Sequence, residues 1–224
     1  MKDGLLNQER ENKWLDLIDR AVNAVTVLLI IGFFLTILCY LFFRPYQIIG
    51  NSMADTILDG TTVVISTSSG SANRGDIVVI DTSVDDMLSI AGDDKFIIKR
   101  VVAVGGDKIG FVYNSTKTAY SVYLNTGSGW QKINEDYAGE MTRVNDLFTS
   151  ITVCNEESEL DLYGISVQNG KVFVMGDNRD VSADSRKFGQ FSLGSIKGKY
   201  LCSLVKGGII EGFLSLIYNS NNSN

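Results

Sequence analysis

The 224-residue sequence contains no histidine, so the commonest general base, the commonest metal ligand and the usual pH-sensitive side chain are all missing. Acid–base chemistry falls to Lys, Asp, Glu, Tyr or Cys, and one lysine stands out. Residues 96–102 read FIIKRVV. Four β-branched residues flank two cations with no turn residue between them, which predicts a strand. Strand alternation puts Ile97, Lys99 and Val101 on one side and Ile98, Arg100 and Val102 on the other, so Lys99 has apolar neighbours on its own face. An ordinary lysine, with a pKa of about 10.4, is protonated at neutral pH and useless as a base. Burial disfavours the charged form and can lower a lysine pKa by about 3 to 5 units. Such an amine can take a proton from a serine hydroxyl. An edge-strand lysine kept in water is the plainer reading, and the strand alone does not separate the two.

Two other stretches supply context: residues 48–58, IIGNSMADTIL, and residues 172–189, VFVMGDNRDVSADSRKFG. Ser52 taken alone would be an ordinary turn serine. The acidic run from Asp177 to Asp184 invites comparison with a calcium loop. Counting from Asp180, however, Ser185 stands where the loop needs glycine and Phe191 where it needs glutamate, so no metal site is expected. Gly105-Gly106-Asp107 fits neither a dinucleotide-binding nor a P-loop pattern, so no cofactor is expected either. Cys39, Cys154 and Cys202 have no short spacing and resemble neither a zinc site nor a disulfide framework, although a Cys154–Cys202 bridge stays open.

The elements that must position these residues begin with residues 21–43, AVNAVTVLLIIGFFLTILCYLFF, an apolar run without a charge. At about 1.5 Å per residue it spans about 35 Å, enough to cross a hydrocarbon core of about 30 Å. A cleaved secretory signal would be shorter and would end in small residues, whereas Arg44 and Pro45 follow here, so a retained transmembrane helix is expected. Trp14, Leu17 and Ile18 lead into it at helical spacing. Lys2, Arg10, Lys13 and Arg20 precede the run, and after Arg44 the next basic residue is Arg74. The positive-inside rule therefore expects a single-pass plasma-membrane protein with a cytoplasmic N-terminus and everything after Pro45 outside. The expected organisation is a cytoplasmic segment over 1–20, the helix over 21–43, an extracytoplasmic domain over 44–205 and a C-terminal segment over 206–224. Within the last, 209–218 is too short to span and could pack or lie on the membrane, and the Asn/Ser tail at 219–224 is expected to be disordered.

Beyond the anchor, short apolar runs recur at 61–66, 77–80, 96–104, 122–124, 151–153 and 171–175. Gly, Asn, Asp and Ser clusters such as 66–75 separate them, so a mainly antiparallel β fold is expected, with 111–170 as a β-rich insertion. A net charge of −6 and a pI near 4.7 leave no basic stripe for a phosphate backbone, which excludes nucleic acid as a partner.

Taken together, four blocks carry a resemblance. They are Ser52-Met53 with Thr56; Arg74-Gly75-Asp76-Ile77-Val78-Val79; Lys99-Arg100-Val101-Val102 with Gly106-Asp107; and Gly176-Asp177-Asn178-Arg179 with Ser182, Asp184, Ser185, Arg186 and Gly189. In this order, behind one N-terminal anchor, they resemble the motif set of bacterial type I signal peptidases, which remove signal peptides at the outer face of the plasma membrane. The resemblance runs from the anchor to about Lys199. It implies a mainly β, antiparallel, barrel-like extracytoplasmic catalytic domain; partners that are secretory signal peptides and the lipid bilayer; and no metal or cofactor. It also implies that Ser52 is the nucleophile, Lys99 the general base and Ser182 the hydroxyl that orients the lysine. An oxyanion hole would use backbone groups at Ser52 and Gly50, because glycine stands where some relatives have a serine donor. Met53, Arg100, Asp177, Asn178, Arg179, Asp184, Ser185 and Arg186 would support the site, with Asp184, Arg186, Arg100 and Asp177 as its charged scaffold. Two departures stand out: Asp55 and Gly105 replace prolines common in the family, which could loosen the site, and Asp55 would favour a protonated Lys99. The resemblance leaves two alternatives of the same fold, a dedicated peptidase serving one precursor and a catalytically weak chaperone in surface-protein or pilus assembly.

Overall fold

A computed structural model of the chain describes residues 2–67, 70–84, 96–142 and 151–204, with side chains from residue 12 onward. The C-terminal segment over 209–218, the tail and part of the 66–75 turn lie outside the described residues. The chain divides into two units, Met1–Phe43 and Arg44–Asn224.

The first unit is one helix, α1 (Lys2–Phe42), continuous through the expected boundary near residue 20. The only proline in the sequence is Pro45, so nothing earlier forbids helix, and the residue before a proline is pushed out of the α region. Within Asn12–Phe42 an 18-residue stretch reaches a mean hydropathy of 2.7, and the helix is long and apolar enough to cross a membrane. Leu28, Leu29, Phe33 and Phe34 are all at least 65% exposed, and a helix apolar all round with no protein cover suits lipid. Thr26 and Thr36 donate their hydroxyls to Val22 O and Gly32 O, each at 2.8 Å, which satisfies them where no water would be present.

The second unit is mainly antiparallel β. A seven-stranded sheet has the order β1-β2-β11-β3-β4-β9-β10. Its strands are β1 (Phe43–Gln47), β2 (Thr62–Ser66), β3 (Ile77–Asp81), β4 (Phe96–Val104), β9 (Lys171–Met175), β10 (Phe191–Ser192) and β11 (Ile196–Ser203). A four-stranded sheet has the order β7-β6-β5-β8, from β5 (Lys108–Asn114), β6 (Ala119–Asn125), β7 (Trp130–Lys132) and β8 (Ile165–Ser166). Pro45 sits in edge strand β1, where a missing N–H costs no ladder bond. β3 lies at the centre and every residue of it is buried, which is why Ile77–Ile80 reads as an unbroken apolar run; the buried Asp81 that ends it pairs with Lys197 at 3.0 Å. Register irregularities in β11 and β4 bend the larger sheet into a half-barrel.

Two apolar clusters belong to the larger sheet. One joins Ile48, Met53, Ile57, Val63, Ile65, Ile77, Val79 and Ile98; the other joins Val78, Ile80, Val101, Val172, Val174, Phe191 and Ile196. A third is shared by the two sheets, with Val102, Ala103, Phe173 and Met175 from one and Ile109, Phe111, Val122 and Leu124 from the other. The smaller sheet thus begins ahead of residue 111; it completes the shared core through Ile109, Phe111, Val122 and Leu124 and also packs a smaller cluster of its own, Val112, Tyr123, Cys154 and Leu160.

Residues 151–153 form no strand; Cys154 beside them makes a single bridge to Val112. β5 and β11 were not among the expected runs, because Gly110 and Gly198 interrupt them. Both glycines are demanded by packing: a Cβ on Gly110 would lie 2.4 Å from Leu160 Cδ2, and one on Gly198 would lie 2.5 Å from Ser66 O. Cys154 is buried, Cys202 exposed, and the two do not pair; burial pushes the Cys154 thiol up.

Candidate active site

Ser52 stands on a tight turn between β1 and β2. The loop is closed by two backbone bonds, Ile48 N to Thr61 O and Gly60 N to Ile48 O, each 2.9 Å. Its entry requires glycine, because Gly50 has φ +99°, a conformation L side chains rarely adopt. Gly50 donates its N–H to Asp59 Oδ1 at 2.8 Å. Met53 is fully buried and anchors the turn in the core. Met53 O then accepts from Thr56 N at 2.8 Å and Ile57 N at 2.6 Å, winding the segment back after the half-buried serine.

Lys99 lies on β4 opposite Val78 of β3. Ile97, Val101, Val78 and Ile80 belong to one cluster, so the residues sharing its face in the alternation are apolar. The lysine is only 4% exposed, and its Nζ lies 2.6 Å from Ser52 Oγ in a hydrogen bond. As an ammonium the lysine donates to the hydroxyl; as a neutral amine it accepts the hydroxyl proton across the same distance.

The loop after β9 locks both elements. Asn178 N donates to Ser52 O at 3.1 Å, Asn178 Nδ2 to Asn51 O at 3.0 Å, and Asp177 N to Met53 Sδ at 3.4 Å. A Cβ on Gly176 would lie 2.3 Å from both Ser52 O and Ser182 Oγ, so the close approach of this loop to the turn needs glycine. Two bidentate ion pairs hold the loop. Arg100 Nε and NH2 reach the fully buried Asp177 at 2.8 and 2.6 Å, and NH1 donates to Gly75 O at 3.0 Å. Arg186 Nε and NH2 reach Asp184 at 2.8 and 2.7 Å, with neither side chain exposed to solvent. Burial alone would raise the Asp184 carboxyl, but the charge and hydrogen bonds of Arg186, with the Gly176 N–H, hold it below the usual carboxylate value. Ser185 Oγ accepts from Val174 N at 2.9 Å, and Arg179 Nε donates to Gly176 O at 3.1 Å.

The four blocks thus converge on one hydroxyl and one amine, and comparison with known proteins assigns the framework. Residues 20–204 match the family model described as "Signal peptidase, peptidase S26". The chain belongs to this family. Among curated relatives it is 31% identical over 183 residues to signal peptidase IB of Staphylococcus aureus, covering 79% of this chain and 81% of that one. It is 29% identical over 182 residues to signal peptidase I of Bacillus licheniformis, covering 79% and 80%. A crystal structure of a signal peptidase I from Enterococcus faecalis V583 aligns with 59% of this chain and 97% of its own, at 20% identity and a TM-score of 0.36. As a signal peptidase family member, the chain is a peptide-bond hydrolase.

Within that family framework, Ser182 Oγ is fully buried and makes no hydrogen bond, so its hydroxyl is not bonded to the Lys99 amine. Gly50 supplies the turn its backbone conformation, with its own amide engaged by Asp59. Asp55 is exposed and accepts the Gly139 N–H at 2.8 Å. Gly105 has no room for a side chain, since a Cβ there would lie 2.9 Å from Asn169 Cα and Gln168 O. Three contributors were not singled out as site residues. Thr56 donates to Asp177 Oδ2 at 2.6 Å; Tyr137 places its ring 4.0 Å from the Arg100 guanidinium carbon; and Glu135 holds Arg179 through two contacts of 2.5 Å. Thr56 was legible as part of the first block. Glu135 and Tyr137 lie in a polar loop with no period or motif to mark them. No cluster of three or more metal-ligating side chains occurs among the described residues.

Proposed function

We propose that the chain is a membrane-anchored signal peptidase that cleaves exported precursors with a Ser52–Lys99 dyad, outside the plasma membrane. The observation that carries this reading is the 2.6 Å approach of Lys99 Nζ to Ser52 Oγ by an amine only 4% exposed. Desolvation opposes the ammonium form, and the Asp177 and Asp184 carboxylates are each matched by an arginine. Family membership favours a signal peptide as substrate, and the basic residues before the helix favour a cytoplasmic N-terminus.

In this mechanism the neutral Lys99 amine takes the Ser52 proton as Oγ attacks the scissile carbonyl carbon. In this reading the Ser52 N–H donates to the oxygen that becomes negative. The tetrahedral intermediate collapses, Lys99 returns the proton to the departing amine, and the signal peptide remains as an ester on Oγ. Water, deprotonated by Lys99, attacks that ester, and the amine hands the proton back to Ser52 as the acid leaves. In this reading the hydroxyl of Ser182, buried and without a hydrogen bond in this state, orients the amine during turnover.

In detergent, or in cells carrying a secreted reporter, Ser52→Ala and Lys99→Ala each abolish processing, while membrane extraction still finds the variant inserted. Processing by either variant refutes the dyad. Asp55 and Gly105 are the two departures that motivate a catalytically weak chaperone; Asp55 accepts the Gly139 N–H and Gly105 packs where no Cβ fits, and binding of precursor peptides without turnover would support that reading.

A further inference from the structure

Residues 133–142, which leave the smaller sheet after β7 and return at the Tyr120–Met141 bridge, make polar contacts with both site-bearing loops of the larger sheet. On the nucleophile turn, Asp55 Oδ2 accepts the Gly139 N–H at 2.8 Å. Beside it, Thr56 Oγ1 lies 3.5 Å from Tyr137 O while donating to Asp177 at 2.6 Å. Over the scaffold, the Tyr137 ring faces Arg100 at 4.0 Å, and its hydroxyl donates to Glu135 Oε1 at 2.9 Å. Glu135 in turn grips the buried Arg179. On the loop after β9, Thr142 N donates to Asp180 Oδ1 at 2.7 Å, and Arg186 NH1 lies 3.2 Å from Met141 Sδ.

The two ends of the turn are held differently. The Asn51–Met53 end is fixed by Asn178, Asp177 and the core, whereas at the exposed Asp55–Thr56 end Thr56 reaches Asp177 and the Asp55 side chain is tied to this arm. A contact between an exposed carboxylate and one backbone N–H contributes little to global stability, yet it constrains a backbone that also carries the nucleophile. A displacement of about 1 Å in a reacting group can cost about 10²-fold in rate.

We propose that residues 133–142 are a positioning arm for the nucleophile turn, with Asp55 as the positioning residue that joins them through the Gly139 N–H. This rests on the Ser52–Lys99 reading and extends it: Asp55 acts on Ser52 through the turn, not on the substrate.

The test uses the full chain in detergent with a fluorogenic signal-peptide substrate, and turnover expressed per folded molecule from the near-ultraviolet dichroism. Asp55→Ala lowers kcat by about 10- to 100-fold with KM unchanged, and Asp55→Asn, which keeps a carbonyl acceptor, stays within about threefold of wild type. Gly139→Ala gives a smaller loss in the same direction, since its Cβ would lie 2.9 Å from Asp55 Oδ2 and displace that carboxylate. The Asp55→Ala/Gly139→Ala pair is no worse than Asp55→Ala alone, because one joint has been broken twice. The arm is overturned if Asp55→Ala keeps its kcat per folded molecule, if it raises KM alone, or if the two losses multiply. Ser52→Ala run in parallel separates the failures. Its silence beside a fully active Asp55→Ala sinks only the arm, whereas its activity sinks the dyad and the arm's premise together.

Discussion

The two sheets of the second unit hold their neighbours by different physics. Behind the larger sheet, the loop after β9 is fixed by buried ion pairs: Arg186 and Asp184 show no solvent exposure, and Asp177 none beside Arg100. The smaller sheet is fixed by apolar packing, with Phe111 against Phe173 at a ring-centroid distance of 6.1 Å in a cluster that also holds Ile109, Val122 and Leu124. Ion pairs set direction: a guanidinium fork meets a carboxylate in few orientations, and Asp184 also accepts the Gly176 N–H at 3.0 Å, beside the turn that carries Ser52. Apolar contacts set volume and tolerate small rotations. Directional bonds therefore surround the two atoms whose spacing matters, while the insertion that completes the core is packed.

That contrast can be broken by substitutions on either side. The largest effect is expected from Asp184→Ala, which strands the buried Arg186 charge. Removing one partner of such a pair costs about 3 to 5 kcal/mol, to be read as a fall in the unfolding midpoint of the detergent-solubilised protein together with loss of activity. Phe111→Ala should cost a similar 3 to 5 kcal/mol, approximately, through lost burial and a cavity. The two differ in pH dependence. The Asp184 carboxyl lies below its ordinary value in the folded chain, so its contribution is fully present above the unfolded carboxylate pKa of about 3.9. It is lost as pH falls through the lower, folded pKa. Titrated downward from pH 5, the stability gap between wild type and Asp184→Ala closes while that of Phe111→Ala does not; parallel gaps would contradict the contrast. The smallest effect is expected from Arg74→Ala. Arg74 is 44% exposed and pairs with the buried Asp107, which also accepts from Val104 N at 2.9 Å. Solvent screening leaves this pair about 1 kcal/mol or less, and a loss as large as that of Asp184→Ala would show that exposure does not grade these pairs.

The β-rich architecture and the residues gathered at the site were legible because their signals are local. FIIKRVV announces a strand by composition, and glycines, serines and charges at fixed offsets announce the turns that bring Ser52 and the loop after β9 to it. Strands β5 and β11 escaped because glycine normally argues against a strand, whereas Gly110 and Gly198 are there to admit Leu160 and the backbone of β2. Residues 151–153 misled in the opposite sense, being β-branched and apolar while packing against the shared core without a ladder. The arm over 133–142 was illegible for a third reason. Its contacts join residues more than 80 positions apart, through a backbone N–H and a carbonyl at Gly139 and Tyr137, groups every residue has. Asp55 read as an anion near the lysine, and nothing in the sequence pointed to the backbone N–H of Gly139 that its carboxylate accepts.

The central claim is that a dry, uncharged Lys99 amine activates Ser52, and the pH dependence of kcat/KM for a signal-peptide substrate tests it most directly. The account predicts a rate that rises with pH on a single ionisation well below the ordinary lysine value of about 10.4, as the base loses its proton. A rate flat across neutral pH that climbs only where exposed lysines titrate, or a profile unchanged in Lys99→Ala, would contradict it.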